Sequence, residues 1–168
     1  MYYGMETGDD ATLKAVNKGV DGEQAVEAGR RVTASGMKLS MMIILGLAGA
    51  EGSERHALAT AKAINIIKPT HLSALCLMLY RGSELLEQYE AGKFNPLSPA
   101  GLMRELKLII ENIDLPADRH CLFRSNHVSN YVQLAATLPH DKQRLLRDID
   151  YSIAQLSKLK SWDVYNYN

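Results

Sequence analysis

Two apolar runs dictate most of what this chain can become. The segments at 39–45 ("LSMMIIL") and 72–79 ("LSALCLML") carry apolar side chains on both alternating faces. Strands of that kind are buried on both sides, which is the condition of a parallel sheet covered by helices. A parallel neighbour needs a long crossover, and the residues between the runs supply one. Two shorter segments, 2–5 and 121–124 ("CLFR"), are the further strand candidates.

The intervening stretches read as capped helices. Asp9 or Asp10 caps a short helix carrying Leu13 and Val16 that Gly19 ends. Asp21 with Gln24 forms a capping-box pattern, and Val26, Gly29 and Val32 form a stripe that stops at Gly36. Ser53 is expected to cap the next helix, with Leu58, Ala61 and Ile64 on its buried face and Pro69 beyond its end. Ser83 starts a helix with Leu85, Leu86 and Tyr89, closed by Gly92. Ser98-Pro99 opens another, with Leu102, Leu106, Ile109 and Ile113 as its stripe. A last helix begins near Asp141 and buries Leu145, Ile149 and Leu156. The alternation predicts an α/β fold with right-handed crossovers. Residues 161–168 ("SWDVYNYN") lack periodicity and are read as a tail to a domain over 1–160.

Charge and cysteine content narrow the function. Nineteen Lys and Arg balance nineteen Asp and Glu, so no net positive field favours nucleic acid or lipid. The apolar runs are too short to span a bilayer, and no secretion signal precedes them. Cys76 and Cys121 stand far apart and form neither a disulfide framework nor a metal-ligand spacing, so a reducing cytoplasm is expected and no metal ligands are assigned.

Ligands of parallel α/β folds bind at the carboxyl ends of the strands. The residues just past each strand are therefore the candidates. They include Glu6 and Thr7, the segment from Gly46 to Glu51, Tyr80 to Leu85, and "RSNHVSNY" from Arg124 to Tyr131. Glycine there commonly serves a turn, and Glu6 can equally serve the following helix N-terminus. The "RSNHVSN" segment concentrates Arg, Asn, Ser and His in seven residues, a set able to orient a polar or anionic substrate or to build a hydrogen-bonded turn. Single histidines, His56 among them, are assigned structural or surface roles, and Lys18 a surface role.

Several of these passages resemble one family. "YYGMETGDDATLKAVNKG" is similar to the "GxExGxDxxLxxxNKG" passage of radical S-adenosylmethionine (radical SAM) enzymes. "MMIILGLAGAE" resembles that family's fifth barrel strand and "LCLMLYRGSELLE" its sixth, with "RGSEL" where relatives often carry Pro-Gly-Thr-x-Leu. "FRSNHVSNYVQLAATLPHDKQRLL" resembles the C-terminal part of a branch described as Fe-S oxidoreductase or oxygen-independent coproporphyrinogen III oxidase-like.

The resemblance implies a half TIM-type (β/α) barrel of parallel strands with C-terminal helices. It implies that Glu6 and Thr7 contact the methionine or ribose part of S-adenosylmethionine, that Leu45, Gly46 and Leu47 lie against adenine, and that Tyr80 and Gly82 border it. Arg124, Asn126, His127 and Asn130 would face a small-molecule substrate. The family's C-x-x-x-C-x-x-C triad, which holds its [4Fe–4S] cluster, has no counterpart here. The chain is thus identified as a C-terminal fragment of an iron-sulfur oxidoreductase, inactive alone, whose exposed first strand favours self-association. A free-standing nucleotide- or phosphate-binding module, or an interaction domain, is the alternative; it lacks a G-x-G-x-x-G or Walker-type loop.

Overall fold

A computed structural model describes residues 1–158. The described residues form one sheet of five strands in sequence order: β1 (Tyr2–Glu6), β2 (Ser40–Leu45), β3 (His71–Cys76), β4 (Cys121–Ser125) and β5 (Leu134–Leu138). The first four pair in parallel and β5 joins β4 antiparallel. The fold is α/β, and its mostly parallel sheet matches part of a Rossmann- or TIM-like architecture. The expected tail at 161–168 lies outside the described residues.

Six helices connect and flank the strands: α1 (Asp10–Ala15), α2 (Gly22–Ala34), α3 (Gly49–Ile67), α4 (Glu84–Glu90), α5 (Pro99–Asn112) and α6 (Lys142–Leu156). Caps explain most of their starts. Asp9 accepts from Thr12 N–H, Asp21 and Gln24 complete the expected capping box, and Ser83 and Ser98 cap α4 and α5. Helices α2, α3, α5 and α6 touch in succession and form one layer. Against that layer lie Met41, Ile43, Leu45, Leu72, Ala74 and Phe123, each at most 1% exposed.

Several expectations are corrected. The strands are not buried on both faces: Met42, Ile44, Ser73 and Leu75 on the opposite face are only partly covered, and Arg124 is exposed. Helix α3 begins at Gly49, four residues before Ser53, because the Ser53 hydroxyl is bonded to Glu105 instead of capping. Leu58 points to solvent at 42% exposure; His56, Ala57, Thr60 and Ile64 form the buried face instead. Helix α1 stops well before Gly19, at Ala15, and Asn17 just beyond takes the left-handed conformation at φ 52°. Strand β3 ends at Cys76, three residues early, and α4 buries no residue. Strand β5 carries little sequence signal, because "LAATL" is short and nearly without β-branched residues.

Candidate functional site

Four neighbouring parallel strands place their carboxyl ends along one edge of the sheet, so the turns after β1, β2, β3 and β4 share one mouth. The mouth is shaped by two sharp turns. Pairing between β1 and β2 slips between Gly4 and Glu6, leaving Met5 as an extra residue. Glu6 then takes φ 64°, unusual for a residue with a side chain. Its carboxylate folds back over Gly4 and meets Lys18 Nζ at 3.2 Å. A side chain on Gly4 would occupy that carboxylate's place, its Cβ overlapping Glu6 Oε1. Lys18 therefore belongs to the mouth, not merely to the surface.

The second turn is at Gly46, φ 80°. A Cβ there would lie 2.7 Å from Leu102 Cδ2, so glycine admits close approach of α5. The Gly46 amide donates to Glu105 Oε1 at 2.6 Å, and Leu45 is completely buried. Leu47, next along, lines a cleft of about 250 Å³ with Val16, Asn17, Met78, Ser83 and Gln88. That cleft joins the end of α1 to the turns after β2 and β3. It is smaller than the roughly 300–1,000 Å³ of a complete small-molecule site. A cavity of about 570 Å³ lies elsewhere, between α2 and α3, floored by Val26, Ala59, Ala63 and Ile66. Gly8, just past β1, also lines it, but none of the residues assigned to cofactor or substrate does.

The expected residues separate into two groups. Glu6, Tyr80 and Gly82 reach the surface, Tyr80 being 52% exposed and a Cβ on Gly82 meeting open space, while Leu47 is buried at 7% exposure and lines only the cleft. Thr7 does not, being fully buried with its hydroxyl shared between His56 Nδ1 and the Asp9 amide. Leu45 and the Gly46 amide are likewise committed inward.

At the β4 tip, the "RSNHVSN" segment ties down the neighbouring strand. Ser129 Oγ accepts from the Cys76 amide at 3.1 Å and bonds His127 Nδ1 at 2.9 Å. The Asn130 amide nitrogen donates to Ala74 O at 3.0 Å and to Ser125 Oγ at 2.7 Å. A flipped amide would set its oxygen against the Ala74 carbonyl, so this orientation is the satisfied one. Asn130 Oδ1 is left buried with no partner among the described residues. The segment is thus a structural turn at Ser129 and Asn130, while Arg124, Asn126 and His127 remain exposed.

Beneath the mouth lies a polar group that the sequence reading missed. Glu105 of α5 is 3% exposed; its carboxyl holds the Gly46 amide and Ser53 Oγ and stands 3.6 Å from His56 Nε2. Burial pushes its pKa up to about 7, against the lowering effect of those two hydrogen bonds. His56 is itself fully buried, and burial lowers its pKa to about 4. A signal existed: Glu105 falls three residues after Leu102 and four before Ile109, on the apolar stripe of its helix.

No group of three His, Cys, Asp or Glu could hold a metal ion among the described residues. Burial pushes the thiols of Cys76 and Cys121 up to about 12. No helix among the described residues is long and apolar enough to cross a membrane.

No protein-family model matches the sequence, and no curated protein matches it significantly. Among solved structures the chain is similar to the archaeal Elp3 of Methanocaldococcus infernus with an N-terminal deletion (1–46). The two align with a TM-score of 0.62 at 16% identity, over 95% of this chain and 36% of that one. The likeness establishes a shared fold: this chain has the architecture of about a third of the Elp3 chain.

Proposed function

We propose that this chain is part of a radical SAM oxidoreductase and forms one wall of its S-adenosylmethionine and substrate pocket. The observation that carries the reading is the strand order. Four parallel strands in sequence order bring four turns to one edge, and those turns hold the residues on which the family resemblance rests. Elp3, whose fold the chain shares, is a radical SAM protein. The coproporphyrinogen III oxidase-like branch is proposed from the motifs at Arg124–Tyr131 and beyond.

In this reading Leu47, Tyr80 and Gly82 receive the adenine side of the cofactor, and Glu6, fixed by Lys18, faces its methionine or ribose part. Thr7, Leu45 and Gly46 act one layer deeper, shaping the turns. Arg124, Asn126 and His127 present charge and hydrogen bonds to substrate, and Asn130 acts through the turn it ties to Ala74 and Ser125. When bound, S-adenosylmethionine with a reduced cluster supplies hydrogen-atom abstraction; the cluster must be held by residues other than those described here. The open sheet face, with Met42, Ile44 and Leu75, faces the interior of the completed pocket. The chain is assigned to the cytoplasm.

The test is chemical-shift mapping with S-adenosylmethionine at millimolar concentration. Saturable changes at Glu6, Leu47, Tyr80 and Gly82 are expected. Absence of binding, or changes confined to the groove between α2 and α3, would refute the reading. The latter outcome would favour an α/β binding module of another kind.

A further inference from the structure

The turns after β1 and β2 are linked underneath by a line of buried polar groups with one gap, at His56 Nε2. The Asp9 amide donates to Thr7 Oγ1 at 3.0 Å. The Thr7 hydroxyl is 2.8 Å from His56 Nδ1. With the hydroxyl donating, the neutral ring carries its proton on Nε2. That atom is buried, has no hydrogen-bond partner among the described residues, and stands 3.6 Å from Glu105 Oε1. The same oxygen accepts from the Gly46 amide at 2.6 Å. Thr7 and His56 are fully buried and Glu105 nearly so, which leaves water little access to any link.

We propose that Glu105 is a positioning residue that sets both turns together, the β2 turn directly through Gly46 and the β1 turn through His56 and Thr7. The gap at His56 Nε2 exceeds a hydrogen bond by a few tenths of an ångström, so a small approach of α5 to α3 completes the line. A negative charge on Glu105 strengthens its bonds from Gly46 N–H and Ser53 and draws His56 Nε2–H inward. The pull passes to Thr7 and so to the left-handed turn at Glu6. That these turns serve one ligand rests on the function proposed above; their coupling does not.

Glu105 is the group of this line that changes charge near neutrality. The carboxylate of Asp9 is held below its ordinary range by Arg55 and Thr12 against the opposing effect of burial, and Arg55 stays cationic. His56 charges only near pH 4. The Cys76 thiol on β3, which feels Glu105, stays protonated to about 12.

The experiment follows backbone amide resonances of the whole chain from pH 5.5 to 8.5. The Gly46 amide proton should move downfield with a midpoint near 7, and the Thr7 and Asp9 amides should report the same midpoint. In Glu105→Gln both responses vanish. In His56→Asn the Gly46 response remains and the Thr7 and Asp9 responses are lost. The inference is overturned if Gly46 does not titrate in the unaltered protein, or if Thr7 and Asp9 ignore its midpoint. It is also overturned if their titration persists without His56. These first two readings need no variant to fold. Titration with S-adenosylmethionine separates the two proposals: coupled turns without ligand binding uphold this inference and refute the functional reading.

Discussion

Replacing Glu105 or His56 should tilt the pH dependence of stability in opposite directions. Glu105 has an ordinary pKa of 4.5 and is raised to about 7 in the fold. A carboxyl raised on folding stabilises fully below its unfolded value, and that stability is lost as pH climbs through the folded value. The loss spans pH 4.5 to about 7 and amounts to about 3 kcal/mol, at about 1.4 kcal/mol per unit. His56 falls from 6.5 to about 4. A base lowered on folding opposes folding wherever the unfolded chain is protonated, so stability rises from pH 4 to 6.5 by a similar amount.

The two slopes cancel between pH 4.5 and 6.5. The unfolded chain there holds one proton on the pair, on the histidine, and the folded chain also holds one, whichever partner carries it. Burial, the largest cause of each shift, survives removal of the other residue. Urea denaturation followed by circular dichroism at several pH values is the assay. The unaltered protein should show a flat contribution from this pair. Through the His56 slope left behind, Glu105→Gln should itself gain about 3 kcal/mol as pH rises from 4 to 6.5. His56→Asn should lose about as much between 4.5 and 7. At a slope of about 2 kcal/mol per molar urea, each is a midpoint shift of about 1.5 M. Variants that tilt the same way, or that both stay parallel to the unaltered protein, would refute the reasoning.

Gly46→Ala should cost more than Gly82→Ala. Both sites have φ near 80°, but only at Gly46 does a Cβ meet a side chain, Leu102 at 2.7 Å. Left-handed strain alone costs about 1–2 kcal/mol; the additional overlap should add about 1 kcal/mol or more, read as a larger drop in melting temperature. Anaerobic iron–sulfide reconstitution of this chain should leave it colourless, and stable brown protein with stoichiometric iron would contradict the site reading. The outer edge of β1 has no strand beside it among the described residues, and Tyr2 there is 83% exposed. Sedimentation should therefore reveal self-association that Tyr2→Lys reduces; a monomer at high concentration would count against it.

The parallel order of β1 to β4 was legible because apolar runs alternate with capped helices, and the caps at Asp9, Asp21, Ser83 and Ser98 formed as their spacing implies. Errors arose where a side chain had a better partner far away. Ser53 resembles a cap but bonds Glu105, 52 residues on. Thr7 looks like a mouth residue, yet a histidine 49 residues away takes its hydroxyl. Half-covered sheet faces were read as fully buried because Met42, Ile44 and Leu75 are apolar whether or not anything lies over them. Glu105 went unnoticed because a stripe is recognised by its apolar members, and its one charged member was passed over.

Strand β5 has a consequence for how such a sheet can be enlarged. A singly wound array accepts another unit wherever an edge strand runs with the rest. Here β5 runs against them, so a newcomer parallel to it would deliver its loop to the opposite rim. Enlargement that keeps every loop on the functional rim is directional, and it proceeds from the β1 flank.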